Sequence, residues 1–163
     1  MRINDNNELE VLLIKRKRGP HRGDWALPGG IQDNETLQLF AEADLNWAAG
    51  VNDRDRPTDA LFGLVNPNAD RTQMTMQFTA LKELLEEVGL DTNEQLTTIS
   101  ALTPKYNRYD WDARATNGVN VGGTFVYVYD NDWEPKAGDD ALKAEWKTVK
   151  SILDGDTKLA FRS

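Results

Sequence analysis

The chain of 163 residues has no cysteine and a single histidine, His21. Disulfide staples and thiolate metal sites are therefore excluded, and any metal must take oxygen ligands or that one imidazole. Such a donor set favours a hard cation such as Mg²⁺, with Mn²⁺ as an alternative. Long apolar runs are missing too: no stretch approaches the length needed to cross a bilayer, and residues 1–7 are polar with no signal-type apolar core. A soluble, cytoplasmic protein with no membrane partner is the expectation. Basic residues are scarce, 19 against 27 acidic ones, and the net charge of −8 removes the positive surface that nonspecific nucleic-acid binding requires. Internal repeats and low-complexity tracts are absent, which argues against a tandem architecture. What is present is 39% hydrophobic content, enough for one substantial core and too little chain for two, so residues 1–163 read as a single domain.

Along the chain, residues 8–14 read as a strand that runs into a basic loop, and Pro28-Gly29-Gly30 is a strong breaker. The clearest helix covers 78–88, with Gly89 placed for a left-handed C-cap. A short strand is expected at 97–102, and the best strand at 121–130, where Phe125, Tyr127 and Tyr129 alternate with Val126 and Val128. That strand is expected to be central in its sheet. Another strand at 144–149 and a helix opening at 151–153 follow the turn-rich segment 131–138. The mixed order predicts an α/β (α+β) fold with a sheet sandwiched between helices. Residues 37–75, rich in Asn, Asp, Arg and Pro with few apolar patches, read as an insertion. The aromatics Trp25, Trp146, Phe125 and Tyr127 are expected in the core.

In the 78–88 helix, Phe78, Leu81, Leu84, Leu85 and Val88 fall on one arc and Glu83, Glu86 and Glu87 on the other. Three carboxylates within about one turn repel each other by a few tenths of a kcal/mol per close pair. Taken alone, the arrangement fits a solvated acidic face as well as a cation site.

Its surroundings narrow the choice. Leu27-Pro28-Gly29-Gly30, then Glu35-Thr36, and later Lys82-Glu83-Leu84-Leu85-Glu86-Glu87-Val88-Gly89-Leu90 resemble the Nudix box: Gly, five residues, Glu, seven residues, then Arg-Glu-apolar-x-Glu-Glu-x-Gly-apolar. The second half matches at every defined position except Lys82, which stands for Arg and lacks its two-pronged geometry. In the first half, the five-residue spacing to Glu35 holds from Gly29 but not from Gly30. Forty-six residues separate Glu35 from Lys82 where the pattern has seven, an excess of 39 that predicts an insertion at about 38–75 inside the box. The resemblance implies a Nudix fold in which Glu83, Glu86 and Glu87 bind Mg²⁺ against a diphosphate, one of them assisting as base, with Glu35 and Lys82 completing the catalytic set.

The C-terminal third resembles a narrower group. Tyr109-Asp110-Trp111-Asp112-Ala113-Arg114-Ala115-Thr116-Asn117, then Gly123-Thr124, then Ala137-Gly138-Asp139-Asp140-Ala141 with Trp146, are similar in order to mitochondrial-type ADP-ribose pyrophosphatases and to the related domain of ADP-ribose-gated cation channels. Trp25 to Gly30 and Ile14-Lys15-Arg16-Lys17 fit the same group. The resemblance implies that Asp112 and Arg114 contact substrate, a guanidinium meeting phosphate or ribose with paired donors. Tyr106, Tyr109 and Trp111 are candidates to stack on adenine. In the basic run 15–22, one or two residues, Arg18 among them, are expected to approach the diphosphate, and His21 is given no catalytic role. Asp139 suits a helix N-cap or loop first and a place beside metal or water second.

The leading expectation is a Mg²⁺-dependent hydrolase that splits ADP-ribose into AMP and ribose 5-phosphate. A noncatalytic ADP-ribose sensor and a hydrolase of another nucleoside diphosphate derivative are the alternatives, and a homodimer is left open. The chain stops at Phe161-Arg162-Ser163, where such relatives continue, so it reads as a compact or trimmed version. On that reading the insertion is the expected supplier of any missing ribose contacts.

Overall fold

The computed structural model describes residues 1–51, 53, 55–90, 107–112, 120–128 and 133–160, with backbone alone for 107–112 and 120–123. The long apolar run of β2 (Leu9–Arg16) forms the middle of a four-stranded sheet. One edge pairs along its length with β6 (Ala141–Thr148), from Glu10↔Thr148 to Arg16↔Ala141. The other edge takes β1 (Arg2–Ile3) at one end and β3 (Trp25–Ala26) at the other. These ladders are antiparallel; a parallel bridge, Trp25↔Leu159, brings the C-terminal segment alongside β3. Leu12, Leu13 and Ile14 are all buried, so β2 is covered on both faces, which explains its unbroken apolar run.

Two further strands, β4 (Asn107–Asp112) and β5 (Asn120–Phe125), form a separate antiparallel ribbon with Tyr109 opposite Gly123. The strand expected at 121–130 thus ends at Phe125 and lies in this ribbon, while β2 holds the central place. The expected 97–102 strand lies outside the described residues.

Among the described residues, four helices follow the chain: α1 (Asn34–Ala48), α2 (Pro57–Phe62), α3 (Arg71–Val88) and α4 (Val149–Leu153). Asp33 and Asp70 cap α1 and α3 by accepting from Thr36 N and Gln73 N, and Pro57 opens α2 at the position where its missing N–H costs nothing. Helix α3 begins seven residues before the expected start at Phe78, because Asp70 supplies the cap there. Its end is as expected, with Gly89 left-handed at φ 66. The four-residue segment Gly138-Asp139-Asp140-Ala141 caps no helix; it turns into β6.

The polar segment 38–75, expected as an insertion, carries packed helices. Phe40 of α1, Leu61 of α2 and the following Leu64 and Val65 pack with Phe78, Leu81, Leu90 and Tyr127 in one core. The Phe40 and Phe78 rings meet edge to face at 5.5 Å. Polarity is absorbed by pairing: the 1% exposed Asp59 accepts from Asn46 Nδ2 and from Asp53 N, while its carbonyl accepts from Trp47 Nε1. Of the expected core aromatics, Tyr127 is buried and Trp146 and Phe125 pack half-buried against the core. Trp25 instead lies half-buried with Lys147 Nζ over its ring at 4.6 Å.

Gln77 links α3 to the segment after β5. Its Oε1 accepts from Asn66 N at 2.9 Å and its Nε2 donates to the Tyr127 hydroxyl at 2.8 Å, the second bond fully buried. Replacing it by an apolar residue strands the buried Tyr127 hydroxyl and the half-buried Asn66 N–H. Gln77→Leu is therefore expected to cost about 2–4 kcal/mol and Tyr127→Phe about 1–2 kcal/mol in urea unfolding; a neutral Gln77→Leu would contradict this pairing.

Candidate active site

The last two turns of α3 carry Glu83, Glu86 and Glu87, and the three meet different surroundings. The Gly29–Gly30 loop that leaves β3 lies over the first and last. Gly29 N donates to Glu87 Oε2 at 2.8 Å, and Glu87 is only 8% exposed. Gly30 lies so close to the Glu83 carboxylate that a Cβ there would collide with it. Glu86 faces solvent, and both its oxygens are held by Lys82 Nζ at 2.8 and 2.9 Å. On the far side, Gly138 N donates to Glu87 O at 2.8 Å and Lys136 N to Val88 O at 2.9 Å, closing the helix end against the segment before β6. A Cβ on Gly138 would strike the Glu86 carbonyl.

Burial pushes the Glu87 carboxyl up to about 7; the charges of Glu83 and Asp140 add to the shift, and the Gly29 N–H and Arg16 oppose it. Glu83 is also raised, by burial first and then by Glu86. For Lys82, burial works against the charged form, but the hydrogen bond and charge of Glu86, with Glu83 and Asp33, outweigh it and raise its pKa. This end of the helix is a region of excess negative potential.

Among the described residues, no three His, Asp or Glu side chains converge on a point that would cage a metal. Mg²⁺ does not need such a cage: it keeps several waters and is commonly held by one or two carboxylates plus substrate phosphates. Glu83 and Glu87, one turn apart under the same loop with raised pKa values, fit that mode.

The remaining expected residues are spread more widely. Glu35 is exposed in the first turn of α1, and the ion pairs of the described residues include none between it and Lys82. The seven-residue spacing counted back from Lys82 reaches Met74, on α3 itself, so the helix offers no carboxylate there. Arg18 is exposed, 3.6 Å from Asp140. Tyr109 and Asp112 lie on β4, whose backbone alone is described, and Arg114 lies outside the described residues, as does Tyr106. His21 faces Asp24 at 3.5 Å, away from the carboxylates of α3 in its ion pairing.

Sequence reasoning missed Asp140, whose charge reaches both Glu83 and Glu87 from the turn before β6. Its motif was visible; its proximity to α3 was not. It also missed a cavity of about 550 Å³ beside the glycine loop, walled by the flank of α3, β2 and the end of β5.

No family model matches the chain, and no curated protein matches it. Two solved structures do. The NUDIX domain of Shewanella oneidensis NrtR, in a cocrystal with ADP ribose, is 17% identical over 98% of this chain and 73% of that one, with a TM-score of 0.47. A bifunctional NMN adenylyltransferase/ADP ribose pyrophosphatase from Francisella tularensis is 19% identical over 93% of this chain, with a TM-score of 0.52; the matched part is 33% of that longer chain. This second likeness shows a shared fold, and the mixed α+β class expected from the element order is the class of this chain.

The two close glycines differ in what they would strike. Gly138→Ala meets backbone and is expected to cost about 2–4 kcal/mol, whereas Gly30→Ala meets the movable end of a side chain and should cost under about 1 kcal/mol. Equal losses in urea unfolding would contradict this packing.

Burial holds the Glu87 carboxyl at about 7 in the folded protein against the ordinary 4.5, so the folded protein retains a proton that the unfolded chain releases between those values. The stability this provides is fully present below pH 4.5 and declines as pH rises through about 7. In EDTA, Glu87→Gln, which still accepts from Gly29 N, should melt higher than the parent at pH 8 and alongside it at pH 4. A difference independent of pH would refute the assignment.

Proposed function

We propose that the chain hydrolyses the diphosphate bond of ADP-ribose to AMP and ribose 5-phosphate in a Mg²⁺-dependent reaction. The observation that carries this reading is the placement of Glu83 and Glu87 beneath the Gly29–Gly30 loop, with Glu86 and Asp140 beside them. A solvated acidic face would leave these carboxylates in water; two are covered instead, at a cost that a bound cation would relieve. Glu83 and Glu87 would hold the ion, and Mn²⁺ could take the same oxygen donors. When bound, the metal neutralises diphosphate oxygens and acidifies a coordinated water.

The chain's own residues supply the rest. Gly29 N fixes one Glu87 oxygen and leaves the other available, and Lys82 holds Glu86 at the rim, where a base could take a proton from water. Arg16 at the end of β2, whose charge reaches Glu87, and Arg18 just beyond it, 3.6 Å from Asp140, suit the flanking phosphate oxygens. Asp112 and Arg114 are proposed for the ribose or its phosphate, and Tyr109 for the adenine, on their motif alone. The Francisella protein's name supplies a fold-level analogy for ADP-ribose and no more.

One observation favours a second reading, an ADP-ribose sensor without turnover: Lys82 occupies both oxygens of Glu86 and Glu35 stands apart. Incubation with ADP-ribose and Mg²⁺ separates the two. AMP release is expected, lowered at least about a hundredfold in Glu86→Gln. Binding without AMP would leave the sensor, AMP-type products from other nucleoside diphosphate derivatives but not from ADP-ribose would move the substrate, and no binding of ADP-ribose would overturn both ADP-ribose readings.

A further inference from the structure

The cavity beside the glycine loop differs in chemistry from the carboxylate end. Its lining contains Leu12, Met76, Ala80, Leu84, Phe125 and Trp146, and among the described residues it carries no Lys, Arg, Asp or Glu side chain. One wall residue stands out. Gln32 has its Nε2 buried with no hydrogen-bond partner among the described residues, although a buried amide donor is normally satisfied. Gln32 lies two residues beyond Gly30, so the loop that covers Glu83 and Glu87 also places this residue in the cavity wall, with its Nε2 buried just behind the surface. A donor unpaired in the free protein and set among apolar walls is poised for an acceptor carried by whatever fills the space.

We propose that Gln32 is a specificity-determining residue that donates a hydrogen bond to a planar, uncharged ring, the nucleobase end of the diphosphate substrate. The apolar walls bury the faces of such a ring, and the amide reads an acceptor on its edge. A sugar phosphate fits poorly, because among the described lining residues the one candidate cation is the Met1 amino group, whose pKa burial lowers to about 6 and which already donates to Tyr127 O. Phe125 and Trp146 supply aromatic surface for the ring, and Gly29 and Gly30 at the cavity wall join this pocket to the carboxylates that would face the diphosphate. This assignment rests on the reading of the carboxylate end as a diphosphate site.

The test is calorimetric titration of the full chain in Mg²⁺ with AMP and, separately, ribose 5-phosphate, for the parent, Gln32→Leu and Gln32→Ala. The parent is expected to bind AMP more tightly than ribose 5-phosphate, and both variants to weaken AMP about tenfold while ribose 5-phosphate is unchanged. KM for ADP-ribose should rise by a similar factor with kcat within about twofold. Melting temperatures should not fall, since the amide has no partner to lose; a residue serving only the fold would lower them. Unchanged AMP affinity, equal weakening of both probes, or a parent that does not bind AMP would overturn the proposal. Because AMP binding needs no turnover, a parent that binds AMP through Gln32 yet leaves ADP-ribose intact would sink the hydrolase reading alone. A parent that hydrolyses ADP-ribose but binds AMP regardless of Gln32 would sink only this one.

Discussion

The hydrogen bond from Gly29 N to the buried carboxylate of Glu87 is the contact on which the rest of the arrangement turns. It joins the loop after β3 to the last turn of α3, and through β3 it joins that helix to the central strand β2. The same turn is clamped from the opposite side, where Gly138 N and Lys136 N take the last carbonyls of the helix just before the chain enters β6. Helix ends leave carbonyls without intrahelical partners, and here a neighbouring segment supplies the donors as well as the Gly89 cap. Gly30 and Gly138 have close neighbours where a side chain would stand, so Glu83 and Glu87 are held between two stretches of backbone rather than displayed on a surface.

That enclosure has an electrostatic consequence. Covering a carboxylate disfavours its charge, and placing Glu83, Glu86 and Asp140 near one another adds repulsion. The opposing groups, Lys82, Arg16 and the Gly29 N–H, offset only part of it for Glu83 and Glu87. The protein therefore keeps strain at one place in an otherwise well-paired structure, where Asp59, Asp24 and Gln77 all find partners despite burial. Unrelieved potential of this kind concentrates at sites that meet a ligand. The apolar cavity beside it supplies the complementary half of a cleft: charge at one end, covered hydrophobic surface at the other.

The segment between the glycine loop and α3 shows how little a polar composition says about packing. Rich in Asn, Asp and Arg, it nonetheless supplies Phe40, Leu61, Leu64 and Val65 to the core against α3. The polar residues serve that structure by capping helices and by surrounding Asp59, so their number says little about exposure. A few apolar residues suffice when each helix buries one narrow stripe.

Within single elements, the sequence by itself determined a good deal: β2 from its unbroken apolar run, the acidic end of α3 from its helical spacing, Gly89 as its left-handed stop, and the glycine pair as a turn. These properties depend on neighbours one or a few residues apart, and periodicity reports them. It mislocated the β5 ribbon, because alternation describes a strand's two faces and not the partners it finds. Only the tertiary structure decided which glutamates are covered. On one helix face, identical by residue type, Glu87 is buried against Gly29, Glu83 lies beneath Gly30, and Glu86 turns outward to Lys82. The proximity of Asp140 and the unpaired amide of Gln32 were decided in the same way, by contacts between segments distant in the chain, where local spacing carries no information about distance or solvent.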